Sequence, residues 1–581
     1  MFDDFERDQK LSTAGLPPPD RALQNFSMLQ NYSRQGEIPW RHISTGGSGG
    51  GKEILCNRDI AVPGFSIDND KTEQRRYVSA RVFENLLKQR FRAELNDAAR
   101  NQLKTERPDE SASGVLNRQQ FLIVFALVVL TIAALVKAPI TTLIIGNVLV
   151  TGYFLAAILF RFVLMLIGAL PLKKQPAITI PESELPVITI LLPLFQDAES
   201  LTQLSAAIDG LHYPTAKKDV KLLLEENDEG TITEAERLGL FERYDVTIVP
   251  AGAPQTKPKA CNIGLKLARG DLIVIYDAED QPEPDQLLKA VHGFQDRDDR
   301  LICLQARLNY YNRSENWLTS LFTSEYSLWF DWLLPGLQRL NAPIPLGGTS
   351  NFFRTQKLIE IGGWDPFNVT EDADLGLRIS RLGYRVAMLN STTFEEANCR
   401  VGNWVRQRSR WMKGYMQTWL VHMRHIRALK ETTGWRGVFA MQLFVAGAFI
   451  SALLFPLLWV VFIYWLATHA AIISKVFPEP LLTLNLTALI IGNAVFIASA
   501  MIGPLKRGWV KIALAGITAP AYWLLASIAA YRGLFQLITM PYFWEKTDHM
   551  ISEYAYRRRE MVMQEVVVKN STAFHRGETR K

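Results

Sequence analysis

Hydrophobicity along the chain alternates on two scales. A polar stretch gives way to two long apolar runs, then to a mixed pattern of short apolar segments, then to apolar runs again before a basic tail. Residues 121–136 and 141–170 approach or exceed the ~20 apolar residues a bilayer-crossing helix needs, and Lys137-Ala138-Pro139 breaks them into a hairpin. Arg118 precedes this hairpin and Lys173-Lys174 follow it, so the bias of basic residues toward the cytoplasm places both ends there. Arg161, inside the second run, has a stem long enough to snorkel toward the near interface. Further on, residues 438–467 exceed one span but are too short for two and a turn. They read as an interfacial helix continuing into one span at 449–467, and 484–502 is another span, with Lys506 and Arg507 on its inner side. Residues 512–538 read as a helix in the membrane plane, broken near Pro520, because a span there would carry the basic tail outside. The pattern predicts four spans.

Between the apolar groups, residues 187–192, 221–224, 246–249 and 272–276 are short β-branched runs separated by helical patterns. Strands alternating with helices predict an α/β domain with a mostly parallel sheet. Ligands of such sheets gather at the carboxyl ends of the strands, and two acidic groups, at 226–228 and 277–280, fall just past two of those ends. Toward the N-terminus, residues 1–75 are polar and broken by Pro17-Pro18-Pro19 and a Gly/Ser run at 46–51. The glycines ending at Lys52 lack phosphate-loop spacing, since Glu53 follows the lysine, and read as linker. Residues 76–105, with Val82, Leu86, Leu87, Phe91 and Leu95 near helical spacing, predict an amphipathic helix or pair. The expected division is a partly disordered cytoplasmic region with a helical module (1–116), a transmembrane hairpin (117–172) and a cytoplasmic α/β domain (173–430). Transmembrane and interfacial helices (431–540) and a cytoplasmic loop with a basic tail (541–581) complete it.

Composition changes this picture little. The 64 basic and 58 acidic residues leave a net charge of +6, which does not suggest nucleic-acid binding, although Arg557-Arg558-Arg559 and the tail can lie against an anionic leaflet. Four cysteines without a C-x-x-C pair argue against structural zinc or a disulfide framework and fit a reducing compartment. No apolar segment with a cleavage site stands near Met1, so the first 116 residues are expected to stay in the cytoplasm.

The acidic groups carry the candidate chemistry. Asp277 and Glu279 stand two apart after a strand, so on extended chain both carboxylates share a face and can hold one divalent cation, Mg²⁺ or Mn²⁺, against a diphosphate. Asp372, in Thr370-Glu371-Asp372, can take the proton of an acceptor hydroxyl. Thr370 equally suits the N-cap of the helix that follows. Gln407, Arg410 and Trp411 fall on one helix face, where a guanidinium suits a diphosphate and an indole suits a sugar ring. The same triplet suits an amphipathic helix with an aromatic membrane anchor.

The ordered motifs Glu226-Asn227-Asp228, Asp277-Ala278-Glu279-Asp280, Thr370-Glu371-Asp372 and Gln407-Arg408-Ser409-Arg410-Trp411 resemble those of the membrane-embedded processive family 2 glycosyltransferases, the cellulose, chitin and hyaluronan synthases. Lys257-Pro258-Lys259-Ala260-Cys261-Asn262 and Phe543-Trp544-Glu545-Lys546-Thr547 add to the likeness, which covers about 120–548. The stretch from Gln305 through Gly376 most resembles bacterial XagB-type exopolysaccharide glycosyltransferases, which include mixed-linkage β-glucan synthases. The resemblance implies a nucleotide-sugar-binding glycosyltransferase A-type domain between transmembrane helices. It implies that Glu226, Asp228, Lys259 and Asp277 bind the donor nucleotide, that Asp277 and Glu279 hold the metal, and that Asp372 is the general base with Glu371 beside it. Gln407, Arg410 and Trp411 would line the acceptor and diphosphate, and Trp544, Lys546 and Thr547 a gating loop. The implied function is polymerisation of a UDP-sugar, UDP-glucose foremost, onto a growing polysaccharide at the bacterial inner membrane, with an export or regulatory partner and no nucleic acid. Addition of one sugar to a lipid carrier and an inactive scaffold or sensor are the alternatives. Two positions depart from the pattern: Asn227 stands where an aspartate is common, and the metal motif is D-x-E rather than D-x-D. No PilZ-type cyclic di-GMP motif is present.

Overall fold

The structure, a computed structural model, describes residues 44–45, 52–57, 73–78, 88–170, 180–295, 298–469, 471–548, 551–554 and 557. It divides into two units, Met1–Ala99 with Lys266–Arg269, and Arg100–Leu265 with Gly270–Lys581. In the first, strands β1 (Ser44–Thr45), β2 (Lys52–Asn57) and β3 (Glu73–Val78) form a sheet, with β1 antiparallel and β3 parallel to β2. Strands therefore stand where the sequence suggests linker: Lys52 opens β2 rather than ending a loop. Neither six-residue segment has a β-branched run, and their pairing is non-local, so periodicity gives no sign of it. The amphipathic pattern expected over 76–105 is helical over Arg92–Glu106, while Val82, Leu86 and Leu87 lie outside the described residues.

The second unit is built on an eight-stranded sheet. Its strands are β4 (Ile188–Leu194), β5 (Lys218–Glu225), β6 (Asp245–Val249), β7 (Leu272–Ile275), β8 (Gln281–Pro282), β9 (Leu301–Tyr310), β10 (Asn351–Arg354) and β11 (Arg385–Glu395), in the order β6-β5-β4-β7-β10-β9-β11-β8. Ile188, Ile190 and Leu192 join Leu222, Leu224 and Val274 in one core, while Leu191, Leu223 and Ile273 are buried too. Burial on both faces is why these strands read as continuous apolar runs. The four strands found in the sequence run parallel, as expected. The other half makes the sheet mixed, since β10 is antiparallel to both β7 and β9 and β8 is antiparallel to β11. Strand β10 enters from the carboxyl end of β7, where Ser350 N–H donates to Ile275 O at 2.8 Å. The glycine-rich segment before it is thereby delivered to the functional edge.

Five helices among the described residues are long and apolar enough to cross a membrane: α1 (Arg118–Lys137), α2 (Pro139–Ala169), α7 (Ile426–Thr468), α8 (Leu481–Leu505) and α9 (Val510–Thr539). The sequence reading counts four, with α9 in the membrane plane. Helix α9 does break near Pro520, at a 3₁₀ turn over Gly516–Thr518, and it is the most covered of the five, with 39% of its apolar window buried. The remaining labelled helices are α3 (Lys257–Lys266), α4 (Trp317–Leu328), α5 (Glu371–Arg381) and α6 (Val401–Met423).

Helices α5 and α6 meet along a buried polar seam. Asn368 Nδ2 donates to Thr418 Oγ1 (2.9 Å), Val369 N–H to Gln417 Oε1 (3.3 Å), and Asp374 pairs with Arg378 (3.1 Å) and His422 (3.0 Å). Gly414 permits this approach: a Cβ there would fall 2.3 Å from Thr370 Cγ2. Gly414→Val is therefore expected to overpack the seam, at about 1–3 kcal/mol. A lowered Tm of the detergent-solubilised chain checks this, and an unchanged Tm would mean that the seam opens freely.

Candidate active site

The carboxyl ends of the parallel strands open into a cavity of about 1160 Å³. Phe195 and Asp197 after β4, Glu225 of β5, and Asp277 and Glu279 after β7 line it. Across from them stand Gly347–Thr349, the start of α5 with Glu371 and Asp372, and the face of α6 that carries Gln407, Arg408, Arg410 and Trp411. Asp277 and Trp411, 134 residues apart, thus share one space.

Lys257, at the start of α3, ties the centre together. Its ammonium bonds to Asp277 Oδ1 and to Gly348 O at 2.8 Å. A Cβ on Gly348 would lie 3.4 Å from Asp372 Oδ2, 3.8 Å from Lys257 Nζ and 4.0 Å from Asp277 Oδ2, so the missing side chain leaves a hollow among these groups. Asp280 is buried beneath and shapes the turn, its Oδ2 accepting from Asp277 N–H at 2.7 Å and from the Thr349 hydroxyl.

Burial raises the carboxylates. It pushes Asp372 up to about 6, with the Ala373 N–H and Lys257 opposing the rise. Burial and the neighbouring Asp372 push Glu371 up to about 8. Near neutral pH the pair therefore favours an ionised Asp372 beside a protonated Glu371, the split that separates a base from its neighbour. Thr370 is the N-cap of α5 but makes no side-chain cap bond. Its hydroxyl turns instead to Asn368 Oδ1 (3.4 Å) and Thr418 (3.3 Å), so the seam with α6, rather than the expected cap, holds this helix start.

Of the donor-side candidates, Asp277 lines the cavity, and Glu226, Asp228 and Lys259 do not. Asp228 is 6% exposed and caps the helix Glu229–Arg237, accepting from Thr231 N–H (3.2 Å) and from Gln196 N–H. Glu226 accepts from Ala251 N–H at 3.1 Å. Lys259 is buried and donates to Pro250 O at 2.7 Å, bracing the loop after β6. Glu225, which the sequence analysis passes over, is the acidic residue of this turn that reaches the cavity, its carboxyl raised to about 7 by burial.

The loop after α9 closes the other side, with Trp544, Lys546 and Thr547 all lining the cavity. Lys413 donates to Phe543 O (2.6 Å), Arg410 to Glu545 O (2.6 Å) and Gln417 to Pro541 O (3.0 Å), while Lys546 donates to Gln196 O (2.9 Å). The Arg410 guanidinium also lies 4.7 Å from the Trp544 ring centre. Trp411 stacks on Tyr326 at 6.2 Å between centroids, and Gln407 accepts from Asn398 Nδ2 at 2.8 Å.

No group of three His, Cys, Asp or Glu side chains stands ready for a metal ion among the described residues. The site still fits a hard divalent cation. Asp277 and Glu279 face a hollow rich in carboxylates, and a small cation commonly takes one or two carboxylates and completes its shell with water and substrate phosphates.

Residues 272–478 match the family described as "Glycosyl transferase family group 2". Over these residues the chain is similar to the family 2 glycosyltransferases. The chain is 27% identical over 310 residues to a beta-monoglucosyldiacylglycerol synthase of Nostoc sp. (strain PCC 7120), covering 52% of this chain and 64% of that protein. It is 24% identical over 290 residues to a probable glucomannan 4-beta-mannosyltransferase 10 of Arabidopsis thaliana, covering 46% of this chain and 50% of that protein. The chain thus spans about half to two thirds of the length of these curated relatives. The mannosyltransferase PcManGT from Pyrobaculum calidifontis, in complex with GDP-Man and Mn²⁺, aligns at a TM-score of 0.42 and 17% identity, covering 68% of this chain and 99% of that one.

Lys257 escapes sequence reasoning although it opens the quoted K-P-K motif, because only the fold carries it to Asp277. Glu325 of α4 has no motif at all. Since Lys257 holds both Asp372 and Glu371 down, Lys257→Met is expected to move the acid limb of the pH–rate profile to higher pH. An unmoved limb in that variant would separate Lys257 from the base.

Proposed function

We propose that this chain is an inverting β-glycosyltransferase that polymerises a UDP-sugar, UDP-glucose foremost, at the cytoplasmic face of the bacterial inner membrane and passes the product outward between its apolar helices. The observation that carries this reading is the continuity of the cavity. From Asp277 and Asp372 it runs past Trp411 to Phe455, Trp459, Trp465 and Trp523, with Asn485 and Asn493 among them. Aromatic faces suit sugar rings, and amides suit their hydroxyls.

In this mechanism Asp372 accepts the acceptor hydroxyl's proton as the oxygen attacks C1 of the donor sugar, and the bond from C1 to the diphosphate breaks with inversion. Glu371, protonated beside it, keeps the pair from carrying two charges. Arg410 faces the leaving diphosphate and Trp411 the acceptor ring. A divalent cation, when bound by Asp277 and Glu279, supplies charge against the departing UDP. The loop with Trp544, Lys546 and Thr547 acts as a gate over the donor. Transfer of one sugar to a lipid is the second reading, favoured by the apolar lining and by the name of the Nostoc relative.

Asp372→Asn is expected to lower transfer about 10²–10⁴-fold with UDP binding retained, since general-base catalysis contributes on that order. Near-wild-type polymer from this variant would remove the assignment. The wild-type rate should rise with pH through about 6, as Asp372 loses its proton, and a limb near pH 4 would place the base elsewhere. Sizing the product made from UDP-glucose tests the polymer: a long β-linked chain supports it, and a single hexose on lipid gives the second reading.

A further inference from the structure

Helix α2 carries a charge that neither function explains. Arg161 stands eight residues before Ala169, the last residue of α2, hence about 12 Å inside that end at helical rise. Its side chain lines the cavity rather than snorkelling toward the interface, and its guanidinium carbon lies 4.2 Å from the Phe496 ring centre. Helix α2 packs closely one turn further on, with Leu164 O 2.5 Å from where a Cβ on Gly336 would sit.

Glu325 is the carboxylate within electrostatic reach of Arg161, and it is already committed. Both its oxygens accept from Arg408, at 2.8 and 2.6 Å, and it accepts from the Tyr522 hydroxyl at 2.6 Å. Among the described residues the Arg161 guanidinium makes no hydrogen bond or salt bridge. The two guanidiniums and one carboxylate leave one positive charge in excess, beside an apolar wall of Phe455, Phe496 and Trp523. An ionisable residue at membrane depth is costly without a partner, and a guanidinium matches a phosphate in fork geometry.

We propose that Arg161 binds the phosphate of a lipid whose hydrocarbon tail occupies the apolar part of the cavity. The lipid neutralises the cluster and fills the apolar part of the passage. This inference rests on the membrane reading of the apolar helices and not on the length of the product. The same chemistry has two sources, a phospholipid of the bilayer or a lipid phosphate that serves as acceptor.

The test is native mass spectrometry of the delipidated full chain, titrated with dioleoyl phosphatidic acid and with dioleoylglycerol, which lacks the phosphate. Wild-type protein should prefer the phosphate lipid by about tenfold or more, the equivalent of one charge-assisted bond. Arg161→Met should erase that preference, Arg161→Lys keep part of it, and Phe496→Leu, which leaves the cation, keep most of it. Equal binding of the two lipids by wild-type protein, or an undiminished preference in a folded Arg161→Met, overturns the proposal. Release of the chain from membranes by carbonate would overturn the membrane reading and the proposal with it, whereas a short product would touch only the polymer. The lipid that co-purifies identifies the source: one that gains a hexose on addition of UDP-glucose is an acceptor, and one that does not is resident, and either supports the site.

Discussion

The seam between α5 and α6 is the interaction on which the rest of the site depends. The candidate base stands on the first turn of α5, and Gln407, Arg410 and Trp411, the candidate diphosphate and acceptor groups, stand on α6. The Asn368–Thr418, Val369–Gln417 and Asp374–His422 contacts leave little freedom between the two helices. A buried polar contact is costly to break because each freed group would stay desolvated. The same α6 supports the closing loop through Arg410, Lys413 and Gln417 and packs α9 against its other side, where a Cβ on Gly533 would lie 2.7 Å from Ser409 O. One helix thus positions the proposed base, the basic side chains and the closing loop.

Electrostatics explains how the centre can gather so many carboxylates. Asp277, Glu279, Glu371, Asp372 and Glu395 line one cavity, with Lys257 and Arg410 among them. Burial and the nearby Asp280, Glu279 and Asp277 hold Glu395 well above the usual carboxylate range. Protonation of the deepest members relieves the repulsion, so the ionised charge concentrates where Lys257, Arg410 or a metal ion can meet it. The same burial makes each fixed charge count for more than it would in water.

The catalytic domain and the apolar helices are joined by close backbone contacts. Gly168 of α2 faces Trp332 O, Gly336 faces Leu164 O, and Gly503 of α8 faces Leu328 N, each too near for a Cβ. Arg339 donates to Ile167 O (2.6 Å) and Leu170 O (2.7 Å), taking up carbonyls that the end of α2 leaves open. Such contacts let the cavity continue from the strand ends into the helices.

The sequence by itself determined the strands of the parallel half, the apolar runs and the order of the motifs, because a period of two or 3.6 and a local cluster of acids are properties of neighbouring residues. It also placed Asp277, Glu279, Asp372, Arg410 and Trp411 on elements that do converge. Tertiary structure decided the rest. Strand β10 runs antiparallel because of where its chain enters the sheet, and β2 and β3 exist only through non-local pairing. Asp228 turned inward to cap a helix while Glu225, three residues before it, reached the cavity, a choice set by the turn after β5 that residue type does not encode. Lys257 meets Asp277, and Arg161 comes within electrostatic reach of a committed Glu325, across distances in sequence that no local pattern spans. A pattern records which face a side chain takes; only packing decides what lies opposite it.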